Sequence, residues 1–504
     1  MRCLINIFFI LACLTAFVAC SSDDEPQAGD KLEVGDCYVN FAIRVSNGID
    51  GTTRAATPAG GEDGDGRETG FEAENTVTGI TVILYKDDAG INTTADPTLD
   101  LVRYFNVTLE SRKSQGGSET HEAYYTTGNQ PLGSHRLDLT ATYHAIVIAN
   151  APEVAATLTE GTSKLSDIRY KVVSTLYVGS PSVTADDCTH FVMSSEEDNT
   201  INFGSVTATN LDGTTHTKGR DMLFDLSGQA IVIERLAARV DFWTANSNGY
   251  KTSADNSAYT VPGYEYNVTS STDKFVVTGI VPFNLTNGHA TYGTEYLLKR
   301  VRTDITDVST QSYLADETTA TYVIDPQTTA KITSTTPDLT SSLNSVYTLI
   351  GDGSKLENTS DNPYYHSVEA MHASTRKCTV SGKENVVVAY PMENCLLPES
   401  SLFWHATGIA IVGYYYVGGS GTGTRYVYLG YLRHQGDAES YDIQPYTTPL
   451  ATDATMGSTT AMKFGVVRNN IYRISINSID KKGSLDLSIK VKKWDTFTHD
   501  WIYM

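Results

Sequence analysis

The chain has 504 residues, 40% of them hydrophobic and 19% charged, and its 37 basic against 59 acidic residues give a formal net charge of -22. At roughly 100–200 residues per domain it holds two to four domains with buried cores, and its hydrophobic content excludes a disordered chain. A surface this acidic repels phosphate backbones and excludes a nucleic-acid binder, while 15 Pro and 40 Gly interrupt the chain too often for long helical bundles.

Residues 1–19 begin with one cation, Arg2, and continue in an apolar run over residues 4–18. The run is too short to span a bilayer and has the length of a signal-peptide core. It ends in Phe17-Val18-Ala19-Cys20, ahead of the polar Ser21-Ser22-Asp23-Asp24-Glu25. This resembles a bacterial lipobox, in which Cys20 would carry the acyl chains (palmitate among them); an ordinary secretory signal containing Cys20 is the alternative. Each buried methylene contributes about 0.8 kcal/mol, so two or three acyl chains hold a soluble domain firmly on a membrane. The acidic run after Cys20 resembles the surface-export signal of Bacteroidota lipoproteins, and it also reads as a plain solvated spacer. Beyond the leader and besides Cys20 only Cys37, Cys188, Cys378 and Cys395 remain, too few for a disulfide framework. Cys378 and Cys395 could pair across a hairpin or stay as free buried thiols.

Residues 21–36 are polar and read as a tether. In the segment that follows, Cys37, Val39, Phe41, Ile43 and Val45 alternate with polar or small residues, which predicts a strand with those five on one face. Residues 47–70 have no apolar periodicity and contain Arg54 and the run GGEDGDGRETG, so they predict an exposed, protease-accessible loop. From Phe71 the chain reads as short β-branched and aromatic segments between turns, with strands over 79–85, 101–105 and 144–149 and a short helix within 154–173. A second unit begins near Gln229 with the strand 230–242. Its later strands are 385–390, 408–417 and 425–433, the last two joined by a Gly-rich hairpin loop. Strands over 470–479 and 485–491 follow, with Leu485, Leu487, Ile489 and Val491 on one face.

Signatures of chemistry are sparse. His121-Glu122 is followed by Ala123-Tyr124-Tyr125, which supplies no second metal ligand, and the Gly419-x-Gly421-x-Gly423 string joins two strands and does not open a helix as a phosphate cradle must. Two carboxylates flank the scissile bond in glycosidases, but the sequence pairs none of this chain's acids. The expectation is no enzyme, no cofactor and no metal.

Several segments together resemble the fimbrillins, the type V pilins of Bacteroidota. They are the lipobox at Cys20, Phe191-Val192-Met193-Ser194-Ser195, the stretch Val232-Ile233-Glu234-Arg235-Leu236-Ala237-Ala238-Arg239-Val240, Tyr390-Pro391-Met392-Glu393-Asn394-Cys395, and residues 464–474 followed by a strand ending in Lys493-Trp494. The length is similar to the minor-fimbrillin branch; the acidic Gly-rich linker after Arg54 and the polar insert at 303–362 depart from the pattern.

The resemblance implies an all-β fold of two tandem transthyretin-like Greek-key β-sandwich domains with short helices in loops. It divides the chain into a leader (1–19), a lipidated propeptide with a self-complementing strand (20–54), an N-terminal sandwich (55–228) and a C-terminal sandwich with a terminal donor strand (229–504). The implied function is a structural subunit of a cell-surface fimbrium, exported as an outer-membrane lipoprotein, polymerised by strand exchange after proteolysis, and supporting adhesion and biofilm formation. On this reading Cys37, Val39, Phe41, Ile43 and Val45 form the displaced strand, and Arg54 is the cut, with Arg44 and Arg67 as rivals. The donor comes from Leu485, Leu487, Ile489, Val491, Trp494 and the tail residues Phe497, Trp501 and Tyr503, with the tail favoured. The implied partners are other fimbrial subunits, the outer membrane before maturation, and an unidentified surface ligand. The alternative is a surface glycan-binding lipoprotein of a nutrient-uptake system, whose Tyr and Trp residues would be sugar platforms.

Overall fold

The computed structural model describes residues 37–45, 67–86, 96–113, 122–298 (without 134, 136, 170, 174–175, 179–184, 197–198, 216–220, 253, 256–258, 260 and 284–294), 356–359, 365–395, 407–432, 440–445 (without 444) and 465–495 (without 482). These residues are mostly β-strand, and the fold is all-β. The helices are single turns such as Glu72–Asn75 and Val368–Ala373.

Two apolar cores organise the strands. The first is built on a nine-stranded sheet. Its order runs Leu99–Asn106, Gly79–Lys86, Tyr143–Ala149, Met193–Ser195, Ile231–Arg235, Ala42–Val45, Glu122–Thr126 and Thr108–Lys113, with Asn199–Ile201 alongside Tyr143–Ala149. A three-stranded sheet, Met222–Asp225, Cys37–Asn40 and Gln130–Pro131, contributes to the same core. Gly79–Lys86 and Tyr143–Ala149 are buried almost throughout, which explains why they read in sequence as continuous apolar runs and not as alternation.

The second core lies between a seven-stranded and a six-stranded sheet. Arg239–Trp243, Asn470–Ile479 and Leu485–Asp495 supply Val240, Phe242, Ile474, Ile476, Leu485 and Leu487 from one sheet. Lys274–Phe283, Gly408–Tyr416 and Thr424–Tyr431 supply Phe275, Val277, Ile409, Ile411 and Tyr428 from the other. The Gly-rich connection between the last two strands carries Gly418 at φ 66° and Gly421 at φ 90°. Both lie in the left-handed region that side chains with a Cβ avoid, which is the physical reason for glycine there.

Two sequence expectations differ in detail. The strand expected over 230–242 is divided: Ile231–Arg235 sits in the nine-stranded sheet, Arg239–Trp243 in the seven-stranded one. Ala237 packs in the first core and Ala238 in the second, so the chain changes core between them. The sequence pattern cannot reveal such a step, because both halves carry inward-facing apolar residues that read as one strand. The helix expected within 154–173 is two helices, Pro152–Ala156 and Leu165–Arg169, followed by the strand Val172–Val173. Gly161 at φ 70° ends any continuous helical path between them.

Candidate functional site

Residues 37–45 occupy an internal slot in the first core. Cys37–Asn40 pairs in parallel with Met222–Asp225 and antiparallel with Gln130–Pro131. The chain then turns at Phe41, whose N–H donates to Thr127 Oγ1 (2.9 Å) and whose carbonyl accepts from Thr127 N (2.9 Å). Ala42–Val45 pairs in parallel with Ile231–Arg235 and antiparallel with Glu122–Thr126. The segment therefore crosses from one sheet to the other with a partner on each side. Cys37, Val39, Phe41, Ile43 and Val45 are exposed by 2%, 0%, 1%, 0% and 0%, all within one core, while Tyr38, Asn40 and Arg44 are half-buried. Taking nine residues out would open an apolar trough and strip backbone partners from strands on both sides.

Burial also governs the chemistry of Cys37. Its thiol pKa is pushed up to about 12, so the nucleophilic thiolate is scarce at neutral pH. Cys188, buried in the same core, is likewise raised to about 12 by burial. In the intact chain at pH 8, neither should react with Ellman's reagent. Release of residues 37–45 should give Cys37 the reactivity of an ordinary thiol and leave Cys188 silent, as read by mass spectrometry of labelled peptides. Equal labelling of Cys37 in native and urea-unfolded chain would show that the slot does not hold it.

A second feature lies where the two cores meet. The turn Glu72–Asn75 follows Phe71, whose N–H donates to Glu74 Oε2 (2.8 Å) and closes the helix start. Glu74 is fully buried. Its carboxylate accepts from Arg239 Nη1 (3.0 Å), Trp494 Nε1 (3.0 Å) and the Tyr390 hydroxyl, and lies 3.9 Å from Arg376 Nη1. Arg239 also grips Asp241 in a bidentate pair, Nε to Oδ1 at 2.7 Å and Nη2 to Oδ2 at 2.8 Å. Burial alone would push the Asp241 carboxyl up; the adjacent Arg239 charge and hydrogen bonds, with Arg473 and Asn385, outweigh it and hold the pKa below the ordinary carboxylate value.

Arg235 completes the cluster. Its Nε donates to the Glu74 carbonyl (3.1 Å), Nη1 to Asn469 Oδ1 (2.8 Å) and the Trp494 carbonyl (3.5 Å), and Nη2 to Asn75 Oδ1. The guanidinium lies 4.4 Å from the Trp494 ring. Trp494 stacks on Tyr390 (5.8 Å, 14°), and Phe191 meets both rings edge-on. Nearby, Arg468 Nε pairs with Glu393 Oε2 at 2.8 Å, both fully buried. Asp186 accepts from the Ser374 hydroxyl (2.5 Å) and from Arg376 N (3.1 Å).

The sequence segments singled out above converge here: Phe191, Arg235, Arg239, Tyr390, Glu393, Arg468, Asn469 and Trp494 belong to stretches that lie hundreds of residues apart. Their roles were not legible in sequence, and neither was Glu74. The available signal was an arginine among the apolar residues of a strand, which burial permits only with a partner.

Other expectations fall as follows. Leu485, Leu487 and Ile489 are buried in the second core and Val491 packs against it, within Leu485–Asp495, which pairs along its length with Asn470–Ile479. Trp494 belongs to the first core. Arg44 sits within a strand paired on both sides, and the backbone of Arg67 pairs with Lys493. Cys20, Arg54, Phe497, Trp501 and Tyr503 lie outside the described residues, as does the side chain of Cys395; Cys378 lies in Lys377–Val380. Among the described residues there is no His, Cys, Asp and Glu group that could hold a metal, and no helix is long and apolar enough to cross a membrane.

No protein-family model and no curated protein matches the chain. Solved structures similar to it include a candidate cell adhesion protein from Parabacteroides distasonis, at 13% identity and TM-score 0.41, over 92% of this chain and 100% of that one. The tip fimbrial protein Mfa3 from Porphyromonas gingivalis, truncated at its C-terminus, is 9% identical at TM-score 0.38, over 91% and 99%. A fimbrilin from Porphyromonas gingivalis is 13% identical at TM-score 0.35, over 92% and 99%.

Proposed function

We propose that this chain is a structural subunit of a cell-surface fimbrium. It is exported as an outer-membrane lipoprotein anchored through Cys20 and polymerised by strand exchange after proteolysis, in support of adhesion and biofilm formation. The observation that carries this reading is the slot: residues 37–45 fill the interior of the first core as two short strands, one in each sheet, with a partner on each side.

The physics of exchange follows from that geometry. While 37–45 stays tethered it has a high effective concentration and keeps any other strand out. Cutting the tether removes this advantage, and the freed edges of Ile231–Arg235 and Glu122–Thr126 become templates for β-augmentation. Arg54 is the only arginine in residues 46–66, whereas Arg44 and Arg67 have paired backbones that a protease must first unpair. The donor is the tail beyond Trp494, where Phe497, His499, Trp501 and Tyr503 alternate in sequence. Leu485, Leu487 and Ile489 serve as its fixed root, since removing them would empty the second core. The lipid leaves with the released fragment, so one cut couples detachment to assembly.

The test uses purified precursor and an arginine-specific protease. Wild-type chain should give a ladder of species by native electrophoresis; Arg54→Ala, and separately truncation after Asp495, should give none. Monomers alone after verified cleavage at Arg54 would remove the polymerising role.

A further inference from the structure

We propose that Arg235 and Trp494 form a latch through which occupancy of the slot for residues 37–45 is coupled to the order of the C-terminal strand's end. The latch itself needs no assembly; only its use in a fibre rests on the function proposed above.

Three observations support it. First, Ile231–Arg235 is a wall of the slot, with Ile231, Val232 and Ile233 facing Ile43, Arg44 and Val45 in register. Its other neighbour is the three-residue strand Met193–Ser195, which pairs with Ile233, Glu234 and Arg235. A vacated slot thus leaves this wall with one short partner, and exposed edge strands open more readily than central ones. Second, Arg235 ends that wall and is fully buried. Its guanidinium lies over the Trp494 ring at 4.4 Å and donates to the Trp494 carbonyl at 3.5 Å. Third, Leu485–Asp495 is divided between cores: Leu485, Leu487 and Ile489 pack in the second, whereas Trp494 is held in the first by Glu74, Arg235, Tyr390 and Phe191. The strand's end is therefore fixed by the domain that contains the slot, in part through the slot's own wall and in part by backbone pairing of Lys493–Asp495 with Arg67–Thr69.

The consequence is a two-state element. With the slot filled, Ile231–Ile233 pair with residues 43–45 and Ile233–Arg235 with Met193–Ser195, Arg235 is held over Trp494, and residues 493–495 are ordered. With the slot empty, the wall loosens, the arginine's position over the ring is no longer maintained, and residues 493–495 are released. In a fibre, a newly cut subunit would offer its tail while able to accept another, and filling its slot would order 493–495 again.

Hydrogen exchange on the intact, uncleaved chain tests the coupling, with mass-spectrometric readout at 37–45, 231–235, 493–495 and, as reference, 274–283. Trp494→Ala should speed exchange at least tenfold at 37–45 and 231–235, with 274–283 unchanged. Ile476→Ala, a buried residue of the second core, should not speed 37–45. Binding linkage is reciprocal, so Phe41→Ala should speed 493–495. Should Trp494→Ala fail to fold, Trp494→Phe keeps an aromatic side chain but loses the fused five-membered ring and with it the N–H to Glu74; it should speed both 37–45 and 231–235 several-fold. Faster exchange at 493–495 with 37–45 as protected as in wild type, in either variant, overturns the latch. Coupled exchange in a chain that forms no ladder after cleavage would keep the latch and discard the fimbrial reading; a ladder with uncoupled exchange would do the reverse.

Discussion

Replacing Phe41 and Ile43 together by alanine should free residues 37–45 from the slot without any protease. Both side chains are exposed by 1% or less in the first core. Phe→Ala in such a setting costs about 3–5 kcal/mol and Ile→Ala about 2–5 kcal/mol, together on the order of 5–10 kcal/mol if the sites act independently. Burying the five inward side chains contributes roughly 8–15 kcal/mol in all, an upper figure because the released segment still hides part of its surface. The double variant thus removes about half or more of what retains the segment, and the ordering of nine residues opposes retention throughout. The expected result is Cys37 labelling in native buffer, fast exchange across 37–45, and dye binding to the opened trough. Ile474→Ala, equally buried but in the second core, should show none of these. A loss below about 2 kcal/mol with Cys37 still protected would mean that the backbone ladders, and not these side chains, hold the strand.

Glu74→Ala should be the most damaging single change at the junction. One fully buried carboxylate serves Arg239, Trp494 Nε1, the Tyr390 hydroxyl and Phe71 N. Breaking a buried pair by removing one partner costs about 3–5 kcal/mol; Asp241 still faces Arg239, so here the cost comes from Arg239 Nη1, Trp494 Nε1 and the Tyr390 hydroxyl losing their common acceptor. By contrast, Lys86 lies 3.8 Å from Asp100 and 3.6 Å from Asp138 with each side chain about a quarter exposed, where a pair contributes about 0–1 kcal/mol. The test is a double-mutant cycle with Arg239→Met, followed by urea unfolding. Glu74→Ala alone should lower stability most, and adding Arg239→Met should cost less than its effect in wild type. Simple additivity within about 0.5 kcal/mol would show that the two do not act as a pair. Glu74→Gln, which keeps an acceptor oxygen, should fall between wild type and Glu74→Ala.

These two expectations concern different parts of one arrangement. The slot depends on apolar area, which is non-directional and tolerates a replacement strand of similar pattern. The junction depends on directed hydrogen bonds among buried charges, which tolerate little.

Much of the strand inventory was legible in the sequence, because side-chain alternation is a local property of an extended backbone. The five inward residues of 37–45, the hairpin around Gly418 and Gly421, and the inward set Leu485, Leu487 and Ile489 could all be read from period and turn chemistry alone. Neighbour choice could not. Nothing local says that 37–45 turns at Phe41 to join two sheets, that 231–243 divides between two cores, or that Trp494 packs away from the rest of its strand. The junction was hidden for the same reason. Glu74 and Trp494 are 420 positions apart, and Glu74 and Tyr390 are 316 apart. A lone buried carboxylate is prohibitively costly and a correctly partnered one is not, so its place is decided only when the folded chain brings those partners together.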